Sequence, residues 1–232
     1  FMSLDDVCLA AQQIQDLHNS GVLVTRSDLS DERFQSSSFE PHLVDEGFIL
    51  DASPGLLRPV ASESVYRALL RLPQRHRQRF SIDNSSGFTL LPGFHYLFPL
   101  DTSFRVAGRA FALSSPKSSL GRLFVQSRAL FDYSDAFDAV HGAHVPDVPL
   151  ANWLLVQPRV FGLTVYPGMA MNQLRFFTGS GAQLSATELE SRFSSVPLLF
   201  HLTEDSSLVA APHVIDAHGL RLHLDVQGRR TS

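Results

Sequence analysis

The chain has 232 residues, of which 44% are hydrophobic and 18% are charged. This composition suits a folded domain with a packed core and excludes a disordered chain. Nineteen Lys and Arg against 23 Asp and Glu leave a net charge of −4, so no basic surplus points to nucleic acid. The single cysteine, Cys8, excludes an intrachain disulfide and fits a reducing compartment. Without a signal-peptide pattern or an apolar run that could span a bilayer, we expect a cytoplasmic protein with neither nucleic-acid nor membrane partners.

The first predicted element is a helix near the N-terminus. Ser3 and Asp6 have the spacing of a capping box, and Gly21 stands where a helix would end. The residues between them repeat at helical spacing, with apolar side chains at Leu4, Val7, Ala11, Ile14 and Leu17. Cys8 falls on the apolar side of this helix and is expected in the core.

The middle of the chain predicts short strands. Residues 39–50 indicate two strands joined by a turn, and residues 65–72 indicate a short helix. The arginines around His76 have no aromatic residues between them, which indicates a solvated face rather than a nucleic-acid surface. From Gly87 onward, apolar runs separated by Pro, Gly and Asp are typical of a sandwich or barrel. The predicted strands cover residues 88–91, 96–100, 104–106, 110–113, 123–130, 153–156, 161–165 and 173–177.

The C-terminal part begins with a second capping box. Ser185 and Glu188 predict a helix that extends to about Phe193. Residues 198–202 and 220–226 predict two further strands. The ionisable side chains of this part are expected to face solvent: His213, Asp216, His218, His223 and Asp225.

Residues 114–123, with the sequence SSPKSSLGRL, form the most polar segment between two strand-like runs. Its hydroxyls, one ammonium and one guanidinium on a short turn are groups that bind phosphate. Ser118, Ser119 and Arg122 are spaced to share one face of a single helical turn. A solvated turn with two charges is the alternative interpretation.

Residues 115–123 resemble the nucleotide-binding motif of dCTP deaminases in the dUTPase-like superfamily. The resemblance continues at residues 34–40, 91–97, 131–138, 157–161 and 167–176, and it is strongest to the longer, two-module deaminases of some bacteria. It implies a mainly β, distorted barrel or sandwich of the β-clip type with an N-terminal helix and a few short helices. Residues 1–195 would form the first module. Residues 196–232 would form a linker and the opening strand of a second module that is otherwise missing.

The resemblance also implies an activity, in which water replaces the amino group of dCTP to give dUTP and ammonia. Mg²⁺ would arrive with the triphosphate, zinc would not be used, and the assembly would be a homotrimer or pseudo-trimer with sites between subunits. Carried over by position, Ser118 and Arg122 would hold phosphate or the reacting water. Lys117, Ser119 and Gln173 would contact phosphate, and Asp138 would lie near the sugar 3′-hydroxyl.

Three departures from the family pattern concern the reacting end of this site. The position of the general-base Glu, counted back from Pro158-Arg159, holds Leu155, which cannot transfer a proton. Gly142-Ala143-His144-Val145 replaces a Gly-Tyr-x-Gly turn, and Glu40-Pro41-His42 replaces Asp-Leu-Arg. Together they predict a module that keeps the phosphate half of the site and has lost the half that activates water.

Three functions therefore remain open at this stage. The chain is the first module of a dCTP deaminase whose base lies in the second module, a non-catalytic nucleotide-binding or assembly module, or a dUTP diphosphatase relative in which Asp138 activates water. Other signals are weak. His141 and His144, with Asp138 or Asp147, are too few for a structural zinc site, and no Gly-x-Ser-x-Gly nucleophile elbow is present. Trp153 is expected to be a packing residue.

Overall fold

The structure, a computed structural model, describes residues 7–27, 29–51, 57, 60–105, 111–141, 149–178, 186–195, 200–202, 207–210, 214–216 and 219–221. The chain divides into two compact units, Phe1–Gly179 and Ser180–Ser232. The module boundary predicted at residue 195 stays a prediction.

The first unit is built mainly from short strands. They are β1 Val7–Cys8, β2 Leu23–Thr25, β3 Phe34–Gln35, β4 Ser38–Phe39, β5 Glu46–Leu50, β6 Arg77–Ser81, β7 Phe88–Leu90, β8 His95–Phe104, β9 Phe111–Pro116, β10 Val125–Phe131, β11 Ala139–His141, β12 Leu150–Pro158, β13 Leu163–Val165 and β14 Asn172–Thr178. The helices are α1 Ala11–Asn19, α2 Val65–Arg71 and α3 Ser118–Arg122, and two 3-10 turns cover Asp31–Arg33 and Gln74–His76.

Two antiparallel sheets form the body of this unit. In the first sheet the order is β11-β9-β14-β4-β3, with β1 also paired to β14. In the second sheet the order is β10-β12-β8-β5-β6, with β2 also paired to β8. A separate ribbon pairs β13 with β7. This arrangement confirms the predicted mainly β fold.

The main core lies between the two sheets. Phe39, Ala112, Leu174 and Phe176 of the first sheet belong to one buried cluster with residues of the second sheet, including Phe98, Leu154 and Val156. Because side chains alternate along a strand, the intervening Trp153 and Leu155 point to the other side of β12. There they form a second buried cluster with Val65, Ala68 and Leu69 of α2. The second sheet is thus buried on both faces over part of its area, which explains its nearly continuous apolar runs.

The N-terminal helix is shorter than predicted. It begins at Ala11, where the Gln13 side-chain oxygen accepts a hydrogen bond from the Ala10 N–H at 2.9 Å. Val7 and Cys8 are instead strand residues, paired with Thr178 and Phe177. Cys8 is exposed, so its expected place in the core is wrong. Pairing with the end of β14 outweighs the helical spacing at these positions. The predicted end is confirmed, since Gly21 has φ +72°.

Two further predictions changed in detail. Residues 96–106 were expected to form two strands, whereas β8 runs without interruption through Phe104 because it pairs with β12, β5 and β2 along its length. No strand is predicted over residues 34–38, whereas the structure has the β3–β4 hairpin at residues 34–39. The predicted packing role of Trp153 is confirmed by its 6% exposure.

A buried ion pair fastens the 3-10 turn at Asp31–Arg33 to β8 of the second sheet. Arg33, 1% exposed, donates to both carboxylate oxygens of Asp101 at 2.9 Å. Burial opposes the ionisation of Asp101, but hydrogen bonds from Arg33, Ser27 and the His42 N–H outweigh it and lower the pKa of Asp101. The pair holds together residues that lie far apart in the chain.

The second unit contains α4 Ala186–Ser195 and the strands β15 Phe200–Leu202, β16 Leu208–Ala210, β17 Val214–Asp216 and β18 Gly219–Arg221. β15 pairs with β16 and β17 pairs with β18. The predicted helix is confirmed. The predicted strand over 220–226 is described only as far as Arg221, and His213, His218, His223 and Asp225 lie outside the described residues.

Candidate functional site

The predicted phosphate segment is a short helical turn between the two sheets. β9 ends at Pro116, α3 follows at once, and β10 of the second sheet begins at Val125. The Lys117 N–H donates to the Met171 carbonyl at 3.1 Å, and Leu120 is buried, so both ends of the turn are held. The single helical turn predicted from the sequence is confirmed. We call Lys117, Ser118, Ser119 and Arg122 the cradle.

Three of the four cradle side chains are free to bind a ligand. Ser118, Ser119 and Arg122 are exposed, and in the described part of the chain none of their side chains makes a hydrogen bond or ion pair. Ser119 and Ser118 lie three and four positions before Arg122, so the three side chains lie on one side of the turn. Two hydroxyls and a guanidinium in this arrangement can donate to several oxygens of one phosphate chain.

Lys117, by contrast, already has a partner. Its Nζ lies 2.7 Å from Oε2 of Glu40. The Glu40 backbone carbonyl in turn accepts from Nε of the buried Arg33 at 3.0 Å. The ion pair neutralises Lys117 and places a carboxylate beside the cradle.

Gln173 lies on the first sheet, next to the strand that leads into the cradle. It pairs with Ser115 in register, and its Nε2 donates to Ser115 Oγ at 3.1 Å. The Ser38 hydroxyl donates to Gln173 Oε1 at 3.4 Å. Because its neighbour Leu174 points into the core, Gln173 faces outward from the first sheet.

The Asp138 side chain is bonded to the second sheet rather than to the cradle, although its backbone carbonyl accepts from the Ser114 N–H of β9 at 2.8 Å. It lies just before β11 with φ +60°, and its Oδ1 accepts from the Ala129 N–H at 2.6 Å. Its other carboxylate oxygen forms an ion pair with Arg128 of β10. Asp138 is thus fully engaged, and a sugar hydroxyl would compete with Arg128 for it.

Leu155 lines a cavity of about 220 Å³ on the outer face of the second sheet. Arg128 stands directly opposite Leu155 on β10. The Arg128 guanidinium lies over the Phe137 ring at 5.0 Å from its centroid. The lining described by the structure contains no carboxylate and consists of His95, Gln126, Arg128, Phe137, Leu155 and Gln157. We call this space the Leu155 cavity.

The structure therefore separates the predicted site residues into two groups. The cradle and Gln173 lie on or next to the first sheet, whereas Leu155 and the Arg128–Asp138 pair belong to the outer side of the second. Gln173 and Leu155 face away from each other across the sandwich, so one ligand cannot contact both within one copy of this unit. No hydrogen bond or ion pair within the described residues joins the cradle to the cavity.

Residues 5–180 match the sequence model of the 2′-deoxycytidine 5′-triphosphate deaminase N-terminal domain. This match covers more than half of the chain and agrees with the motif positions and the fold. The chain belongs to the dCTP deaminase N-terminal domain family. The family predicted from residues 115–123 is thereby confirmed.

Solved structures share the fold of this dCTP deaminase N-terminal domain. The crystal structure of 2′-deoxycytidine 5′-triphosphate deaminase from Agrobacterium tumefaciens is similar with a TM-score of 0.65 and 24% sequence identity. The alignment covers 83% of this chain and 54% of that chain, so the chain spans about half the length of that protein. No curated protein sequence matches the chain significantly.

Some residues that the sequence analysis of this dCTP deaminase N-terminal domain singled out lie outside the described part of the chain. Gly142 to Val145, which include His144 and replace the expected turn, lie outside the described residues, as does Asp147. The described part of the chain holds no group of three or more His, Cys, Asp or Glu side chains that could bind a metal ion. It also has no helix with the length and apolar character needed to cross a membrane.

The basic run around His76 is balanced by carboxylates. Arg71 pairs with Glu63, and Arg79 pairs with Glu46. Arg79 also lines an open groove of about 740 Å³ that includes Trp153 and Asp132. Burial raises the pKa of Asp132, and this effect outweighs the hydrogen bonds that the Val65 and Ala151 N–H groups donate to it, which lower the pKa. The solvated character predicted for this run agrees with these contacts.

Sequence reasoning missed the residues that surround Leu155. Arg128, Gln126 and His95 reach the cavity from β10 and β8, and nothing in their local pattern distinguishes them. Gln157 could have been predicted, because it lies two residues after Leu155 on the same strand and therefore on the same face of the sheet. The others depend on which strands pair and in which register.

Proposed function

We propose that this chain is the first module of a two-module dCTP deaminase and that its cradle binds the triphosphate of dCTP. The reaction takes dCTP and water to dUTP and ammonia. The observation that carries the proposal is the exposed face of α3, where Ser118, Ser119 and Arg122 have no protein partner in the described chain. Membership in the dCTP deaminase N-terminal domain family supports the choice of substrate.

The cradle would hold the phosphates mainly through Arg122 and the two serine hydroxyls. A guanidinium can donate to two phosphate oxygens at once, while each hydroxyl adds one bond. Lys117 would contribute less than a free lysine, because phosphate must compete with Glu40 at 2.7 Å. Mg²⁺ would enter with the triphosphate and neutralise part of its charge, with no role for zinc.

A complete site would need a second unit of this fold. Gln173 faces outward from the first sheet and the Leu155 cavity opens on the other side of the sandwich. A nucleotide held by the cradle and Gln173 of one unit can therefore reach such a cavity only on a neighbour. This separation supports the proposed homotrimeric or pseudo-trimeric assembly, and we place the assembly in the cytoplasm.

A non-catalytic nucleotide-binding module is the second candidate, and one observation favours it. Leu155 is 7% exposed and packs with Leu97 and Trp153, so the predicted base position is part of an apolar cluster. A catalytic carboxylate is absent from the described lining of the cavity. This candidate predicts dCTP binding without ammonia release by any assembly of this chain.

Calorimetric titration with dCTP and Mg²⁺ tests the cradle. Arg122→Ala is expected to raise Kd about 10- to 100-fold, since a charge-assisted hydrogen bond contributes about 1.5–3 kcal/mol. Arg67→Ala, an exposed arginine on α2, is the matched control and should bind like the wild type. Equal affinities of the Arg122 variant and the wild type would refute the phosphate role of the cradle.

Ammonia release in the same samples separates the two candidate functions. Turnover of dCTP supports the deaminase, and tight binding without turnover supports the binding module. dUTP measured as product, rather than dUMP and pyrophosphate, further excludes a dUTP diphosphatase.

A further inference from the structure

The Leu155 cavity lacks a carboxylate, but it contains one side chain that can exchange a proton near neutral pH. Five side chains share the lining with Leu155: His95, Gln126, Arg128, Phe137 and Gln157. Amides and the phenyl ring do not titrate, and arginine stays protonated. His95 alone among the described lining residues can accept a proton from water.

Strand register brings His95 close to the vacant base position. Leu155 stands opposite Leu97, and Val156 stands opposite Tyr96, on the paired strands β12 and β8. His95 is therefore the diagonal neighbour of Leu155, on the same outer face of the sheet. Diagonal neighbours on paired strands lie about 7–8 Å apart, a distance that an imidazole and a bound water can bridge.

The surroundings keep the His95 ring available. Within the described residues its ring nitrogens have no hydrogen-bond partner, and the side chain is half-buried. Burial lowers the pKa of His95, and the positive charge of Arg159 lowers it further. Arg128 on β10, the one charged side chain in the described lining of the cavity, is paired with Asp138. The two glutamines of the lining, Gln126 and Gln157, are uncharged. At neutral pH the ring is uncharged and has a free nitrogen that accepts a proton.

We propose that His95 is the general base of this cavity and takes the place of the carboxylate that Leu155 lacks. The inference rests on the proposed deaminase function and adds a residue to it. His95 takes a proton from the water whose oxygen bonds to C4 of the cytosine. The imidazolium then passes this proton to the amino group at C4, the C4–N bond breaks and ammonia leaves. The second water proton remains in the product as the N3–H of uracil, and His95 returns to its neutral form.

The test compares variants of the full chain in ammonia release from dCTP with Mg²⁺. His95→Asn keeps a polar side chain that cannot accept a proton, and we expect turnover to fall about 100-fold, at the lower end of general-base contributions. The dCTP dissociation constant should change little, because phosphate contacts lie elsewhere. His76→Asn, on the 3-10 turn outside the cavity, is the matched control and should leave turnover unchanged.

Two further readouts distinguish a base from a residue that only shapes the cavity. Turnover by the wild type should fall as the pH drops through the lowered pKa of His95, because protonation removes the base, and His95→Asn should lose this dependence. His95→Ala should regain turnover when imidazole is added, since the cavity of about 220 Å³ has room for it. His95→Gln provides a second inert variant if the Asn variant unfolds.

The outcomes separate this inference from the proposed function. Wild-type binding of dCTP without ammonia release overturns His95 as a base and leaves nucleotide binding intact. Ammonia release that persists in His95→Asn overturns the base and leaves the deaminase intact. Failure of the wild type to bind dCTP overturns the proposed function, and His95 with it.

Discussion

The cradle and the Leu155 cavity differ in almost every physical respect. The cradle is a short, exposed, cationic turn whose groups follow one another in sequence. The cavity lies on the face of a sheet, has an apolar floor at Leu155, and draws its lining from β8, β10 and β12 and the segment before β11. Phosphate binding needs only donors and charge on a fixed turn, whereas water activation needs one group at one position. On the proposed function, the first requirement tolerates Lys117 in a place often held by Arg, whereas the second cannot be met by Leu155 and falls to His95.

The largest expected effect concerns the buried Arg33–Asp101 ion pair. Asp101→Asn leaves the buried Arg33 guanidinium without its counter-charge and should destabilise the fold by about 3–5 kcal/mol, measured by chemical denaturation. Glu46→Gln removes the half-buried partner of the exposed Arg79 and should change stability by about 0.5 kcal/mol or less. A similar small loss in both variants would contradict the structural role of the buried pair.

The same pair predicts a dependence on acid. The pKa of Asp101 is lowered from its ordinary value of 3.8 in the folded chain. A lowered pKa stabilises the fold above the unfolded-state value, and this contribution is lost as the pH falls from about 4 through the folded pKa. The wild type should therefore lose stability below about pH 4 more steeply than Asp101→Asn, in denaturation curves recorded between pH 2 and pH 6.

A carboxylate introduced into the Leu155 cavity tests whether the cavity, unlike the cradle, takes part in activating water. In a His95→Asn background, Leu155→Glu places an acid opposite Arg128, and we expect ammonia release from dCTP to rise about 100-fold, the contribution of a positioned general base. Leu155→Gln has the same size without a proton-accepting group and is the control. Equal turnover by the two variants would contradict the proposal that the cytosine ring reacts at this cavity.

The smallest effect is expected at Phe124, between the cradle and β10. Phe124 has φ +53° and is 58% exposed, a conformation that costs about 1–2 kcal/mol for an L-residue. Phe124→Gly should relieve this strain, and after the entropic cost of glycine it should stabilise the chain by about 0.5 kcal/mol. The neighbouring Leu123 is also exposed but has φ −91°, so Leu123→Gly should destabilise. Thermal melts of both variants test the opposite signs.

Much of the fold was predictable because it depends on local pattern. Apolar runs separated by Pro-Gly turns marked most strands, and Gly93 and Gly168 do have positive φ at those turns. The single turn at Ser118 to Arg122 was also predictable. The error at Cys8 arose because residues 7 and 8 fit a helical repeat but pair with β14, a partner about 170 positions away in the chain. Local spacing carries no information about that competition.

The amino-acid sequence alone indicated the family and the mainly β fold and predicted a phosphate-binding cradle, since all three depend on residues that are neighbours in the chain. It also predicted that Leu155 stands at the position of the family's general base. Only the tertiary structure decided that Lys117 is neutralised by Glu40, that Asp138 pairs with Arg128, and that Gln173 and Leu155 face opposite ways. Only the tertiary structure also showed that His95 lies beside Leu155. These contacts depend on strand order and register, which are set by burying two sheets against each other and by no local signal.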